Sequence, residues 1–330
     1  MHKAKAIAAT GINVVELVDI ELPEPKPGEV LIRTEYTAVS PGTELRCIAG
    51  LQRGDVAFPF IPGYSLVGVV ESAAADSPVS VGTRVFAGGT SHASINLQWG
   101  GHVSYAIGRA HRVVPIPEGC PPQWGTLSKL VAIALRGCRI AEPKPSDKVA
   151  IVGLGPIGLL SLRQFRAAGA NVLGVDQDAS RVDRAVNSGV AASVVTSTIE
   201  EAVYSHFGQG ADIVVDATGV PAVLPQSIMA ARELPWDQSN IVGPKVLIQG
   251  SYPDPFTLSY NDCFMKELHI LTPRDHTPAN LVEAVGMIAD GTIKVDDLIS
   301  WSGDTGSAPD VYAQLRSDRT VMTAVFDWRG

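Results

Sequence analysis

The run Val149-Ala-Ile-Val-Gly153-Leu-Gly155-Pro-Ile-Gly158-Leu-Leu160 decides how the rest of the chain reads. A short apolar strand ends at Gly153, a tight turn passes Gly155, and a helix opens at Pro156, whose fixed φ suits a first helical turn. Gly153 makes the turn, Gly155 lets the backbone approach a pyrophosphate, and Gly158 lets the helix pack closely on the strand. The helix start, at Pro156, Ile157 and Gly158, then offers its amides to phosphate. A second strand ends in Asp176, 18 residues beyond Gly158, where a carboxylate accepts hydrogen bonds from an adenosine ribose. Asp176 repels a 2′-phosphate, and Gln177 and Asp178 follow it instead of a basic pair, so the expected cofactor is NAD(H) rather than NADP(H). Arg181 either reaches the adenosine or is a solvated helix residue.

Outward from this motif the pattern is strand, helix, strand. Val172–Val175, Ile213–Asp216 and Val246–Gly250 read as short buried strands, and Ser180–Ser188 and Ala222–Arg232 have helical composition. Such alternation predicts βαβ units in a doubly wound parallel sheet. Upstream, Trp124 to Arg139 carries apolar residues at helical spacing, which predicts one continuous helix. Before that the chain is β-rich: Val14–Val18, Glu29–Thr34, Gly63–Glu71 and Thr83–Phe86 are strand-like, with no long helical period before Pro122. The first third therefore reads as an irregular β-barrel. Glu233–Gly243 reads as a surface loop.

Composition bounds the function. The 330 residues suggest two domains, and 45% apolar content with 18% charged residues excludes disorder. A net charge of −8 without basic runs makes nucleic acid and anionic membrane poor partners. The longest apolar stretch, Val149 to Leu162, is too short and too glycine-rich to span a bilayer. The first residues, Met1-His2-Lys3-Ala4-Lys5, lack a signal-peptide pattern, and Cys47, Cys120, Cys138 and Cys263 show no paired spacing. Reduced thiols in a cytoplasmic protein are expected.

Taken in order, further landmarks resemble the medium-chain dehydrogenase/reductase superfamily across nearly the whole chain. They are Pro25–Arg33, Pro62-Gly-Tyr-Ser-Leu-Val-Gly68, Val81–Phe86, Gly100-Gly-His-Val-Ser-Tyr105, Asp216-Ala-Thr-Gly219, Lys266-Glu-Leu268 and Gly291-Thr-Ile-Lys294. Val39-Ser-Pro-Gly-Thr-Glu44, Phe264-Met-Lys-Glu267 and Asp327-Trp328 are similar to the branch that contains bacteriochlorophyllide 2-hydroxyethyl dehydrogenase. The resemblance implies an α/β protein with a GroES-like (chaperonin-like) β-barrel catalytic domain over 1–121. A Rossmann NAD-binding domain would span 122–276, and a return to the catalytic domain 277–330. It adds Thr218 to the cofactor-binding residues and places the reaction in a cleft between the domains. It also implies a homodimer or homotetramer, with strands near Val246–Leu258 and Leu268–Leu271 extending a sheet between subunits.

Zinc-dependent relatives draw ligands from three segments that read here as Pro41-Gly-Thr-Glu44, Gly63-Tyr64-Ser65 and Lys129. Proline, tyrosine and lysine do not replace thiolate, imidazole and carboxylate, and a family-type cluster of four structural cysteines is absent, so no metal is expected. Hydrogen bonds and fixed charge must then stabilise the alkoxide character of hydride transfer. The candidates are Tyr64 or Lys129 to polarise the carbonyl and Thr43 to pass the proton. Each has another reading: Tyr64 fills space, Lys129 faces solvent or pairs with Glu44, and Thr43 bonds its own turn. Ser40, Glu44, His92, Trp99 and His102 are the substrate-side candidates, His92 and Trp99 through the polar loop Thr90–Trp99. The expected reaction interconverts a secondary alcohol and a ketone on a sugar, cyclitol or hydroxyethyl-bearing ring. The alternatives are a zinc-free enoyl or quinone reductase, and a catalytically silent NAD-binding redox sensor.

Overall fold

The structure is a computed structural model and describes residues 1–52, 57–237 and 241–330. It opens with β1 (His2–Gly11), β2 (Val14–Leu22), β3 (Glu29–Ala38), α1 (Pro41–Ile48), β4 (Phe60–Ile61) and β5 (Leu66–Ser72). There follow β6 (Arg84–Ala87), β7 (Asn96–Leu97), β8 (Tyr105–Arg109), β9 (Val114–Pro115), α2 (Pro122–Gly125) and α3 (Ser128–Ala141). The middle of the chain alternates: β10 (Lys148–Val152), α4 (Pro156–Ala167), β11 (Asn171–Asp176), α5 (Ala179–Asn187), β12 (Ala191–Val194), α6 (Ile199–Phe207) and β13 (Ile213–Asp216). It continues through α7 (Leu224–Met229), β14 (Lys245–Ile248), α8 (Tyr260–Lys266) and β15 (His269–Leu271). The last stretch carries α9 (Pro278–Ala289), β16 (Ile299–Asp304), α10 (Ala308–Ser317) and β17 (Thr323–Asp327).

Two compact units result: Met1–Lys129 with Leu281–Gly330, and Leu130–Asn280. The first contains a sheet of order β2-β1-β4-β7 and a second of order β16-β17-β3-β5-β6-β9, with β8 also on β3. Ala4, Ala6 and Leu22 from one sheet and Val30, Ile32, Val70 and Val85 from the other share one buried core. Strand β3 is buried along most of its length because β5, β8 and β17 all pair with it. In the β17 pairing, Val325 lies opposite Ala38, Phe326 opposite Thr37 and Asp327 opposite Tyr36.

The second unit is the expected parallel sheet, of order β12-β11-β10-β13-β14-β15. The order reverses between β10 and β13, the switch point where the carboxyl ends of open α/β sheets leave a crevice for ligands. Strands β10 and β13 are buried along nearly their whole length, with α4 and α6 packed on β10 and α4 and α7 on β13. Helix α4 is buried from Gly158 to Phe165. The landmark Lys266 is 2% exposed and donates to the Ala231 carbonyl at 2.7 Å and to Glu233 at 2.5 Å, tying α8 to the residues that follow α7.

Three expectations shift. The segment Trp124–Arg139 forms two helices, not one: the Thr126 and Ser128 hydroxyls bond back to the Gln123 and Gly125 carbonyls, in competition with the helical ladder. Pro122–Lys129 packs with the first unit rather than the second, and a Cβ on Gly125 would lie 3.1 Å from Ile116 and 3.3 Å from Val67. Strand β12 and helix α6 carry too few apolar residues in register to stand out from sequence. Of the expected surface loop, residues 238–240 lie outside the described residues, and Trp236 in its first part is 81% exposed.

Candidate active site

A candidate nucleotide site lies on the second unit. Gly153 adopts φ +85°, the left-handed conformation its turn requires. A Cβ on Gly158 would come within 1.8 Å of the Gly153 carbonyl oxygen, so only glycine lets α4 start so close to the strand end. At Gly155 the opposite holds: a Cβ there would meet nothing within 4 Å, and no side chain caps α4. The free space and the uncapped amides of Ile157 and Gly158 make a cradle suited to a dinucleotide pyrophosphate. Thr218 backs this turn. A Cβ on Gly153 would sit 2.8 Å from the Thr218 methyl, while the Thr218 amide and hydroxyl donate to Asp216 Oδ1 at 2.9 and 2.7 Å.

Asp176 closes β11 with 8% of its surface exposed. Its Oδ2 accepts from the Leu154 amide at 2.7 Å and its Oδ1 from the Asp178 amide at 2.9 Å, so the carboxylate is held against the glycine turn. Lone pairs remain on both oxygens for ribose hydroxyls. Arg181 places a guanidinium nitrogen 3.7 Å from Asp176 Oδ2, which makes it part of the same corner.

The second constellation lies on the first unit, around Tyr64. The turn that presents Tyr64 is fixed by glycines: Gly63 has φ +86°, and its Cα lies against the His102 ring. The Gly101 amide donates to the Gly63 carbonyl at 2.8 Å, which explains why Pro62-Gly-Tyr64 and Gly100-Gly-His102 occur together. Tyr64 is 6% exposed, and its hydroxyl lies 2.5 Å from Ser40 Oγ and 3.4 Å from Thr43 Oγ1. The Lys129 ammonium sits 4.3 Å from the centre of the Tyr64 ring, on its face. Trp99 meets the same ring edge-on, 5.2 Å between centroids, from a left-handed φ of +73° that costs a non-glycine residue about 1–2 kcal/mol. Ser40, Thr43, Tyr64, Trp99 and Lys129 are thus brought together. Ser40 stands at short hydrogen-bond distance from the Tyr64 hydroxyl, whereas Thr43 stands at the outer limit of hydrogen bonding.

Three substrate-side expectations are corrected. Glu44 and His102 are each 0% exposed and face one another, with Glu44 Oε2 2.9 Å from His102 Nε2, so neither is open to a ligand. The Lys129–Glu44 bridge does not form. Glu44 also accepts from the Ser40 amide (2.6 Å) and the Tyr312 hydroxyl (2.6 Å), and His102 Nδ1 lies 2.7 Å from Thr37 Oγ1. Removing one partner of such a buried, charge-bearing set costs about 3–5 kcal/mol. His92 does not point at the Tyr64 hydroxyl system; it bonds Glu29 at 3.0 Å beside the start of β3. Tyr312 was not visible as a site residue, because in sequence it is one more apolar position of α10.

The alcohol dehydrogenase GroES-like domain family matches residues 26–118, and the zinc-binding dehydrogenase family matches residues 156–289. The 2-desacetyl-2-hydroxyethyl bacteriochlorophyllide A dehydrogenase of Cereibacter sphaeroides is 25% identical, over 99% of both chains. Among solved structures, an Escherichia coli alcohol dehydrogenase in complex with NADH superposes with a TM-score of 0.85 at 20% identity, covering 99% of this chain and 100% of that one. A Sinorhizobium meliloti dehydrogenase bound to NADP has the same TM-score at 23% identity and the same coverage. The chain belongs to the medium-chain dehydrogenase/reductase superfamily and is an alcohol dehydrogenase-like oxidoreductase.

Proposed function

We propose that the protein is an NAD(H)-dependent, metal-independent dehydrogenase that interconverts a secondary alcohol and a ketone on a sugar, cyclitol or hydroxyethyl-bearing ring. The observation that carries this reading is the Ser40–Tyr64 contact at 2.5 Å under the Lys129 ammonium. The bound nicotinamide supplies the hydride acceptor or donor. The chain supplies the proton chemistry: in the reductive direction the Tyr64 hydroxyl gives its proton to the carbonyl oxygen, the Ser40 hydroxyl donates a hydrogen bond to the phenolate oxygen, and solvent returns the proton to Tyr64 before the next turnover. A cation on the face of the ring stabilises the phenolate left behind, an interaction worth about 0.5–2 kcal/mol. Thr43, further from Tyr64, serves the substrate hydroxyl.

Zinc does not suit this donor set. The positions where relatives place ligands carry a phenol and an ammonium, and Glu44 and His102 are spent on each other. Among the described residues, no three His, Cys, Asp or Glu side chains gather to hold a metal ion. For the cofactor, the Asp176 carboxylate at the ribose position favours NAD(H) by repelling a 2′-phosphate. Self-association as a homodimer or homotetramer is supported by the position of β15 at the end of the sheet order and by exposed apolar residues on it and on the preceding helix α8: Ile270 (40% exposed), Phe264 (52%) and Tyr260 (79%). We place the protein in the cytoplasm; no helix among the described residues is long and apolar enough to cross a membrane.

The test is turnover with a panel of polyols and ring alcohols. Tyr64→Phe should lower kcat by about 10²–10⁴, the usual contribution of a positioned proton-transfer group, and Lys129→Met by about tenfold or more. NADH affinity should not change, since the fingerprint lies on the other unit. Near-normal rates in both variants would end this reading.

A further inference from the structure

The side chain of Ser40 abandons the role its position offers. It is the N-cap residue of α1, where a serine hydroxyl ordinarily accepts from an amide in the first helical turn. Here no side-chain cap bond forms, and Oγ turns to the Tyr64 hydroxyl instead. The Ser40 amide is held from the other direction by Glu44 Oε1, one helical turn further along. Glu44 in turn is fixed by groups far away in sequence: Tyr312 of α10 donates to its Oε2, and His102 bonds the same oxygen. His102 is oriented by Thr37, whose Oγ1 accepts from the Trp328 indole at 3.0 Å. With that acceptor site filled, the Thr37 hydroxyl can donate to Nδ1, which leaves Nε2–H to donate to Glu44, so both ring nitrogens of His102 have partners. Burial, with the Glu44 carboxylate beside it, pushes the Tyr312 phenol well above its ordinary value, so it stays a donor.

We infer that Glu44 and Tyr312 are positioning residues that keep the Ser40 hydroxyl on Tyr64 and off the helix start. Without the Glu44 carboxylate on its amide, Ser40 relaxes to the ordinary cap, and the Tyr64 hydroxyl loses its near partner. The device makes α10, some 250 residues away in the chain, part of the proton path. This inference rests on Tyr64 as the proton-transfer group.

The experiment reads Tyr64 directly, without turnover. The full-length chain is labelled with [¹³Cζ]tyrosine, and the Tyr64 resonance is identified by its loss in Tyr64→Phe. It is titrated in four proteins: wild type, Tyr312→Phe, Ser40→Ala and the double variant. All four proteins carry the same charged side chains, Lys129 and Arg46 beside Tyr64 among them. If Tyr312 acts through Ser40, Tyr312→Phe moves the Tyr64 midpoint by about 0.5 pH unit or more when Ser40 is present, and by under about 0.1 when it is alanine. Equal shifts in both backgrounds, or none in either, overturn the inference. If Tyr312→Phe does not fold, Glu44→Gln in the same two backgrounds carries the comparison: the lost carboxylate acts on Tyr64 equally in both, so the inference requires its two shifts to differ by about 0.4 pH unit or more, and equal shifts overturn it. Kinetics then separate the two claims: kcat of Tyr312→Phe should fall about tenfold with the KM for NAD+ unchanged. Coupled titration without dehydrogenase turnover in the wild type would defeat the proposed function and leave the positioning intact. Normal turnover with uncoupled titration would do the reverse.

Discussion

The two glycines of the nucleotide turn invite opposite outcomes from the same substitution. In Gly158→Ala the new Cβ would lie 1.8 Å from the Gly153 carbonyl oxygen and 2.9 Å from its carbonyl carbon. Neither atom is the mobile end of a side chain, so the start of α4 must lift from β10 by more than 1 Å. Overpacking of this kind costs about 1–3 kcal/mol. For a unit of roughly 150 residues, that lowers the melting temperature by about 2–12 °C. In Gly155→Ala the Cβ meets nothing, and φ of −69° is comfortable for alanine, so stability should stay within about 1 °C. The methyl instead occupies the space left for pyrophosphate and should weaken NADH binding by tenfold or more, roughly 1.4 kcal/mol. Thermal unfolding of the cofactor-free chain and a fluorescence titration with NADH read the two effects separately. Unaltered NADH affinity in Gly155→Ala, together with an unaltered melting temperature in Gly158→Ala, would refute the assignment of this turn.

Other outcomes follow from the remaining groups. Incubation with a strong chelator should leave turnover within about twofold, and metal analysis should return far less than one equivalent, because the ligand positions carry no zinc donors. Asp176→Ser should lower the preference for NAD+ over NADP+, measured as a ratio of kcat/KM values, by tenfold or more, roughly 1.4 kcal/mol. An unchanged ratio would move the discrimination elsewhere, with Arg181 the first residue to test. Tyr312 predicts an alkaline effect. An unfolded tyrosine ionises near pH 10, whereas the buried one keeps its proton, so its stabilisation is complete below about pH 10 and is lost as the pH rises beyond it, by up to about 1.4 kcal/mol per unit. Melting curves of the wild type should therefore fall more steeply than those of Tyr312→Phe above that pH, and parallel curves would contradict the argument.

What could be read before folding was what neighbours in sequence determine. The turn at Gly153, the helix at Pro156 and the acid at Asp176 lie within 24 residues, and the constraints on each are local. The same holds for the emptied ligand positions at Tyr64 and Lys129, legible because residue type alone disqualifies them. What escaped was every contact between distant segments. Glu44 meets His102 across 58 residues and Tyr312 across 268, and no periodicity encodes such a meeting. An acid and an imidazole in polar-looking stretches therefore read as facing a ligand, when both are sealed in the interior. The helix break at Thr126 escaped for the opposite reason: it turns on hydroxyl bonds too local for an apolar pattern to register.

The pairing of β3 with β17 also dictates an order of events. The residues that complete this edge of the sheet leave the ribosome some 285 residues after Ala38. At a synthesis rate of about 5–20 residues per second, β3 waits roughly 15–60 s with that edge exposed, while the intervening parallel sheet has everything it needs to form. The segment carrying Ser40 and Tyr64 is made early yet matures late, and in that interval it is a natural client for a chaperone that shields unpaired strands.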